Sequence, residues 1–161
     1  MKKISIIMGS DSDLDVMNKA KSILEEFDIE YEMRILSAHR TPEELMDYAS
    51  NLEKNGFEIV IAGAGGAAHL PGIVAALTTL PVIGVPIKSD FNDGLDSLLS
   101  IAQMPNGVPV ATVGSNRSKN AALLAVQILA LKYDDLREKL LNYRKNMKKS
   151  VLEKDKKLRG K

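Results

Sequence analysis

The chain has 161 residues, of which 45% are hydrophobic and 27% charged, and its formal net charge is +1. This length is typical of one domain with a substantial core, and no apolar run approaches the ~18 residues of a membrane span. With no cysteine and two histidines, we expect no disulfide, no thiolate nucleophile and no metal site within the chain. The N-terminal apolar run is too short for a signal peptide, so we expect a cytoplasmic protein.

The charge is unevenly distributed along the chain. Residues 1–133 carry 11 Lys and Arg against 16 Asp and Glu, whereas residues 134–161 carry 11 against 5. We predict one α/β catalytic domain over 1–133 and a basic helical extension over 134–161. A basic segment can bind nucleic acid, but Tyr143 is the only aromatic residue among these charges, which leaves little for base stacking. A solvated helix face is the favoured interpretation.

The first predicted strand covers residues 4–8, because the run is almost continuously apolar, as in a sheet covered on both faces. Apolar residues then recur at helical spacing over 14–27. Ser12 and Asp15 match an S-x-x-D capping box at the start of this helix. A second strand, weaker in pattern, covers residues 31–36.

The second helix begins at residues 41–44 (TPEE), which supply an N-cap threonine, a first-turn proline and an acid at N3. An Asn-Gly pair at 55–56 ends it. The later strands are predicted at 58–62, 81–85 and 108–113, the middle one closed by Pro86. The later helices are predicted at 73–77, 95–104 and 116–131.

The segment from Asp134 onward has a thin apolar stripe along one face. This stripe is too narrow to fold alone, so we expect it to pack on a neighbouring subunit. Its members are Leu136, Leu140, Tyr143, Met147 and Val151.

Strands that alternate with helices in this way predict a parallel sheet with helices on both faces. We predict a flavodoxin-like three-layer sandwich with five strands in the order 2-1-3-4-5. In such sheets ligands bind at the carboxyl ends of the strands, near the switch point between strands 1 and 3. Polar or glycine-rich clusters follow strands 1, 2 and 3 at residues 9–13, 37–40 and 63–69. The sequence therefore predicts a binding site where these clusters meet.

Residues 63–72 (GAGGAAHLPG) contain four glycines, which permit positive φ and close approach of the backbone to a ligand. Two interpretations stay open for the stretch alone, the floor of a small-molecule pocket and a strand-to-helix turn whose small residues serve packing. Residues 63–68 also match the dinucleotide fingerprint G-x-G-x-x-A. However, the next strand ends at Val85 and Pro86 instead of the acid that would hold a ribose, so the match is weak.

The sequence also argues against two further motifs. Asp11 and Asp13 resemble the acidic pocket of a phospho-receiver domain, but such a pocket needs an aspartate after strand 3, where this chain has Gly63. The serine elbow G-x-S-x-G is absent from the sequence.

Ser10 and Ser12 lie at the predicted start of a helix, where free N–H groups and the helix dipole suit a phosphate. Asp13 would repel a phosphate and is better suited to accept hydrogen bonds from sugar hydroxyls. The alternative is that Ser12 and Asp13 only cap the helix.

Arg40 has a planar guanidinium that suits phosphate, the alternative being a surface salt bridge. His39 can take and give protons near neutral pH, and its place beside a helix start at the ligand edge of the sheet favours a functional role over a structural one. For His69 the two roles stay equally open.

Five segments of this chain closely resemble the PurE family of purine biosynthesis. The resemblance covers about residues 4–132, and its motifs are long and specific. The matching segments are 8–13 (MGSDSD), 37–42 (SAHRTP), 62–72 (AGAGGAAHLPG), 96–105 (DSLLSIAQMP) and 120–125 (NAALLA).

The family has two branches, a mutase acting on N5-carboxyaminoimidazole ribonucleotide and a carboxylase that joins aminoimidazole ribonucleotide to carbon dioxide. The mutase branch is similar to this chain in reading S-A-H-R and A-G-A-G-G-A-A-H-L-P-G. The carboxylase branch typically has lysine at the position of Arg40 and a different loop at 63–72. The resemblance therefore implies a mutase, with direct carboxylation as the alternative.

The resemblance also implies roles for single residues. His39 is the expected proton shuttle. The chemistry expected of these residues needs neither metal nor cofactor. The expected substrate contacts are Ser10, Asp13 and Arg40 for the ribonucleotide, Ser12 and Ser37 for its phosphate, and Ala64, Gly65 and His69 for the base and the migrating carboxyl group.

The family is a homo-octamer, which implies that the apolar helix at 116–131 and the tail pack on other subunits. One departure is visible at residues 114–119 (GSNRSK), where the family often has a longer loop, so the construction of this edge of the site stays open. Two other classes of function are also weighed, a non-catalytic nucleotide-binding module and a nucleic-acid-binding assembly.

Overall fold

A computed structural model of the chain describes residues 2–160. Its sheet has five parallel strands in the order 2-1-3-4-5, with helices on both sides, which confirms the predicted flavodoxin-like fold. The strands are β1 (Lys3–Met8), β2 (Glu30–Ile35), β3 (Ile59–Gly65), β4 (Val82–Ile87) and β5 (Ala111–Thr112). The helices are α1 (Leu14–Glu26), α2 (Pro42–Ser50), α3 (Leu70–Leu77), α4 (Leu95–Ala102), α5 (Ser118–Leu129) and α6 (Asp134–Leu158).

The central strands β1, β3 and β4 are almost wholly buried, whereas β2 at the sheet edge is partly exposed. This is why β1, β3 and β4 are continuous apolar runs and β2 is the weakest strand pattern. The core cluster joins Val60, Ala62 and Ala64 of β3 to buried side chains of α2, α3 and α4, among them Leu45, Val74 and Ile101. Each such aliphatic side chain contributes about 1.5–3 kcal/mol by burial.

The register of the sheet brings three loops to one level. Met8 at the end of β1 pairs with Ile35 at the end of β2 and with Gly63 in β3. The chain therefore leaves β1 and β2 at the same height, beside the last residues of β3. This is the switch point between strands 1 and 3 at which the sequence predicts a site.

The start of α1 differs from the predicted capping box. Residues 11–13 form a short 3-10 turn, and Ser10 caps it by accepting a hydrogen bond from the Ser12 N–H at 3.3 Å. The residue before α1 is Asp13, whose side chain makes no capping hydrogen bond. The Ser12–Asp15 box is therefore wrong, because the extra turn shifts the helix start by one residue and Ser10 takes the capping role.

Several predicted boundaries were also wrong. β3 extends to Gly65 and β4 extends through Pro86 to Ile87, because the two strands remain paired up to these residues. Pro86 has no N–H to donate, but β5 pairs with β4 only at residues 83 and 84, so no partner strand needs that N–H. β5 has only two residues where six were predicted, and α2 ends at Ser50 instead of at the Asn-Gly pair, with turns following. α4 and α5 are each shorter than predicted.

The described chain divides by its internal contacts into two compact units, one up to residue 125 and one from residue 126 to 160. The second unit contains the 25-residue helix α6. On this helix Leu136 is buried, while Met147, Val151 and Leu152 are at least 50% exposed. The packing of this helix on a neighbouring subunit stays a prediction. None of the helices within residues 2–160 has the length and apolar character needed to span a membrane.

Candidate functional site

A cleft of about 630 Å³ lies at the carboxyl ends of the strands, within the range of small-ligand pockets. All nine residues that the sequence suggested as site residues line it, and the structure thus brings the three predicted clusters together. They are Ser10, Ser12, Asp13, Ser37, His39, Arg40, Ala64, Gly65 and His69. Their roles toward a ligand stay predictions.

The loop after β1 presents two hydroxyls and one buried carboxyl to the cleft. Ser12 donates its hydroxyl hydrogen to Asp13 Oδ1 at 3.2 Å, and Ser10 donates to Asp11 Oδ1 at 3.1 Å. Asp13 is only 7% exposed. This burial raises the pKa of Asp13 above its ordinary value, against the lowering effect of hydrogen bonds from Ser12 and the Ser10 backbone. A partly desolvated carboxyl in this position is a strong acceptor for ligand hydroxyls.

The loop after β2 is organised by the hydroxyl of Ser37. Its Oγ accepts hydrogen bonds from the backbone N–H groups of His39 and Arg40 and from Nε of Arg40, at 3.2–3.4 Å. Thr41 precedes Pro42 as predicted, yet its hydroxyl makes no capping bond. It bonds instead to the backbone N–H and carbonyl of Ser37 at 2.9 and 3.2 Å. Ser37 and Thr41 therefore fix the path of the loop that carries His39 and Arg40.

Arg40 connects the loops after β1 and β2. Its Nη2 donates to the carbonyl of Gly9 at 2.7 Å, and its Nε donates to Ser37. A guanidinium has five N–H donors, and these are the bonds that Arg40 makes from its side chain within residues 2–160. The remaining donors are available at the cleft surface for an anionic ligand.

The two histidines of the chain contact each other at the cleft. Nε2 of His39 lies 2.8 Å from Nδ1 of His69, and the two rings are nearly perpendicular with centroids 5.0 Å apart. Both side chains are exposed. His69 precedes α3, where its side chain makes no capping hydrogen bond. The sequence placed both residues at one edge of the sheet, but it did not predict this contact.

The glycine-rich stretch both packs against a helix and lines the cleft, the two roles that the sequence left open. A Cβ on Gly63 would lie 2.5 Å from Sδ of Met17 in α1, so this position serves helix packing. Gly65 lines the cleft, and a Cβ there would lie 3.2 Å from the backbone carbonyl oxygen of Ile87. Gly66 has φ +61°, a left-handed conformation that favours glycine.

The fourth side of the cleft was missed by the sequence reasoning. Lys88, Ser89 and Asp90 follow β4 and line the cleft. Asn116, in the segment that departs from the PurE pattern, supports them by accepting from the Lys88 N–H at 2.9 Å and donating its own N–H to the Pro86 carbonyl at 2.8 Å. The signal was available, because β4 neighbours β3 in the predicted strand order and its following loop is polar.

The cleft offers acid–base and anion-binding groups without a ready set of metal ligands. Within residues 2–160, no three His, Cys, Asp or Glu side chains are grouped so that they could hold a metal ion. The donors and acceptors at hand are imidazole, guanidinium, carboxyl and hydroxyl groups around a wall of glycine and alanine. This arrangement suits a small, phosphorylated, hydroxyl-bearing ligand that undergoes proton transfer.

Comparison with known proteins gave consistent matches over most of the chain. A family model described as AIR carboxylase matches residues 3–150. The N5-carboxyaminoimidazole ribonucleotide mutase of Pyrococcus abyssi is 63% identical over 149 residues, covering 92% of this chain and 86% of that protein. The mutase of Thermotoga maritima is 59% identical over 158 residues, covering 98% and 92%. The crystal structure of Treponema denticola PurE matches with a TM-score of 0.88 and 34% identity, covering 97% of this chain and 98% of that one.

Proposed function

Because this chain belongs to the AIR carboxylase family, which confirms the resemblance to PurE seen in its motifs, we propose that it is an N5-carboxyaminoimidazole ribonucleotide mutase of purine biosynthesis. It moves the carboxyl group of its substrate from the exocyclic nitrogen to C4 of the imidazole. The observation that carries the proposal is the cleft in which His39 and Arg40 meet a wall of glycine and alanine. The names of the 59–63% identical relatives support the same reaction.

The substrate has an anionic phosphate, a ribose and a carboxylated base, and the cleft offers a partner for each. We place the phosphate near the uncommitted N–H groups of Arg40, with the hydroxyls of Ser12 and Ser37 in support. The ribose hydroxyls lie near Asp13, whose carboxyl is a buried acceptor, and Ser10 adds a further contact to the ribonucleotide.

The base and the migrating carboxyl group then face Ala64, Gly65 and His69 on the third side of the cleft. When the carbamate loses carbon dioxide, the amine and the free carbon dioxide must stay together until C4 attacks. Small apolar walls leave room for both molecules and leave little room for water, so hydration and escape are slowed.

His39 carries the proton steps. Attack of C4 on carbon dioxide leaves a proton on C4, which a neutral imidazole removes so that the ring becomes aromatic again. Loss of carbon dioxide from the carbamate puts a proton on the exocyclic nitrogen first, and the imidazolium form of His39 supplies it. The imidazole that is left then takes the proton from C4, so that His39 ends protonated and the reaction balances without an external acid or base. As we propose it, the reaction needs only proton transfer and retention of carbon dioxide, and no metal or cofactor takes part.

A paired assay on the purified protein tests the proposal. One reaction holds freshly prepared N5-carboxyaminoimidazole ribonucleotide and the other holds aminoimidazole ribonucleotide with matched, modest bicarbonate. Both are followed for the C4-carboxylated product, with an enzyme-free sample as the control for spontaneous decarboxylation. Rapid product from the first substrate and little from the second is expected of a mutase.

Other outcomes of the paired assay would overturn the proposal. Rapid product only from aminoimidazole ribonucleotide would make the protein a direct carboxylase. Product from neither, with bound ligand recovered unchanged, would leave a nucleotide-binding module. His39→Asn is the matched variant, since it keeps a polar side chain of similar reach. We expect it to lose at least about 100-fold in kcat, the usual contribution of general acid–base catalysis, while substrate still binds.

We also propose that the protein is a homo-oligomer, with the octamer of the PurE family as the expected form. Support comes from the apolar stripe of α6, where Met147 and Val151 are 54% and 63% exposed. Multi-angle light scattering of the full chain measures the mass directly. A monomer at micromolar concentration would contradict the expectation.

A further inference from the structure

The contact between His39 and His69 has a chemical consequence beyond lining the cleft. A nitrogen–nitrogen distance of 2.8 Å is that of a hydrogen bond, in which one ring must donate and the other must accept. The bond therefore couples the tautomers of the two rings. Resting on the proposed function, we propose that His69 is a positioning residue that holds His39 in the tautomer with hydrogen on Nε2, so that Nδ1 is the atom that takes the proton from C4.

When both rings are neutral, two arrangements satisfy the hydrogen bond. If Nε2 of His39 donates to Nδ1 of His69, both rings carry their hydrogen on Nε2. If Nδ1 of His69 donates instead, both rings carry it on Nδ1. Neutral imidazole side chains prefer hydrogen on Nε2, so the first arrangement puts both rings in the favoured form. The second puts both in the disfavoured form.

The first arrangement also fits the task of His39. A base that removes the C4 proton needs a lone pair, and with Nε2 committed to His69 that lone pair is on Nδ1. Within residues 2–160, the ring of His39 hydrogen-bonds to His69. The other hydrogen bond of this residue runs from its backbone N–H to Oγ of Ser37. Nδ1 of His39 is thus the ring nitrogen without a partner in the described chain.

The hydrogen bond to His69 serves both proton transfers of His39. As an imidazolium, His39 can donate its Nε2 hydrogen to His69 and its Nδ1 hydrogen to the exocyclic nitrogen of the substrate. Once that proton has been given, the Nε2 hydrogen stays on the bond to His69 and the lone pair is on Nδ1, where it can take the proton from C4. The charged groups that line the same cleft are Asp13, Arg40, Lys88 and Asp90, and within residues 2–160 none of them hydrogen-bonds to either ring.

Two substitutions separate positioning from other roles of His69. His69→Asn places an amide oxygen close to where Nδ1 lies, so it can accept the hydrogen bond from His39 but cannot carry a proton. His69→Phe keeps the ring volume and removes the acceptor. Both are expected to fold, because the side chain of His69 is exposed and makes no capping bond to α3.

The direct readout is the tautomer of His39, measured by long-range ¹H–¹⁵N NMR on ¹⁵N-histidine-labelled full-length protein at a pH where the spectra show both rings neutral. We expect hydrogen on Nε2 in the parent and in His69→Asn, and a mixture in His69→Phe. Hydrogen on Nδ1 in the parent, or an unchanged tautomer in His69→Phe, would overturn the proposal. This readout does not require turnover. The tautomer prediction can therefore fail while the mutase assay succeeds, and the mutase assay can fail while the tautomer prediction holds.

The kinetic readout uses the same two variants with N5-carboxyaminoimidazole ribonucleotide. We expect His69→Phe to lose about 10–100-fold in kcat, the range for loss of a residue that orients a metal-bound histidine. KM is expected to change in both variants because His69 also lines the cleft, so the comparison rests on kcat. His69→Asn is expected to lose less kcat than His69→Phe, because its amide oxygen can still accept the hydrogen bond from Nε2 of His39. Equal large losses in both variants would mean that His69 carries the proton itself, and no loss in either would mean that it has no role in the step.

Discussion

Gly65 combines two properties that make one substitution informative: it lines the cleft, and its missing side chain faces the backbone of β4. In Gly65→Ala the new Cβ would lie 3.2 Å from the carbonyl oxygen of Ile87 and 3.4 Å from the Ile87 Cβ. The first distance is shorter than ordinary van der Waals contact by a few tenths of an ångström, and a backbone atom in a paired strand cannot turn away.

The stability change is a balance of two effects. Overpacking of this kind costs about 1–3 kcal/mol, whereas alanine restricts the unfolded chain and returns about 0.4–1 kcal/mol. We expect a net loss of about 1 kcal/mol, which lowers the Tm by about 2–4 °C for a chain of this size. Activity should fall more, because a methyl group enters the wall beside the base and a shift of the reacting groups by a fraction of an ångström is costly. We expect about a tenfold loss in kcat/KM.

Gly66→Ala is the matched control. Gly66 does not line the cleft, and a Cβ there would meet nothing within 4 Å, but its φ of +61° strains any other residue. The expected loss of stability is about 1 kcal/mol, with kcat/KM within about twofold of the parent. Gly66→Asn should recover part of the stability, since asparagine tolerates this conformation better. The reasoning would be refuted by parent-like kcat/KM in Gly65→Ala, or by an equal loss of kcat/KM in both alanine variants.

Three further substitutions test the electrostatics and the core. Arg40→Ala should weaken substrate binding about 10–100-fold by calorimetry, the range for hydrogen bonds to charged groups. The affinity of Arg40→Lys should lie between that of Arg40→Ala and the parent, because lysine keeps the positive charge but loses the planar guanidinium. Unchanged binding in Arg40→Ala would show that Arg40 does not bind the phosphate. Burial raises the pKa of Asp13 above its ordinary value of 3.8, so ionisation of this carboxyl destabilises the folded state as the pH rises above that value. Asp13→Asn should therefore raise the Tm at pH 7, and the gain in Tm should shrink below about pH 4. A gain in Tm that persists at low pH would contradict this. Tyr48, whose pKa burial raises to about 12, hydrogen-bonds the fully buried Ser5 at 3.0 Å. In urea denaturation Tyr48→Phe should lower the free energy of unfolding by about 1–3 kcal/mol, because it leaves the buried hydroxyl of Ser5 unpaired. If the double variant with Ser5→Ala lost the sum of the two single losses, the hydrogen bond between Tyr48 and Ser5 would not contribute to stability.

The fold was predictable because its decisive features are long-range averages along the sequence. β1, β3 and β4 are buried on both faces, so their apolar runs are unambiguous, and a parallel sheet with right-handed crossovers leaves few strand orders. The same topology placed residues 9–13, 37–40 and 63–69 at one edge. Loop positions follow from the sheet, which is why the candidate residues could be gathered before their geometry was known.

Local hydrogen bonding was not predictable, because several partners compete for each polar side chain. Ser12 could cap α1, but Ser10 caps an intervening turn instead and Ser12 bonds to Asp13. Thr41 occupies the position expected of a cap, yet its hydroxyl bonds to Ser37. Such choices differ by about 1 kcal/mol or less, too little for a residue pattern to decide.

The glycine-rich stretch shows how one short segment meets the demands of both packing and chemistry. In β3 successive residues point to opposite faces of the sheet, and Ala62 and Ala64 face the core formed with α2, α3 and α4. Gly63 and Gly65 lie on the opposite face of the sheet, where the flexible thioether of Met17 covers Gly63 and the fixed backbone of Ile87 covers Gly65. A side chain at position 63 can be accommodated by movement of Met17, whereas one at 65 can only displace β4 or occupy the cleft. The requirement for glycine is therefore strictest at the end of the strand, where the packed core gives way to the binding site.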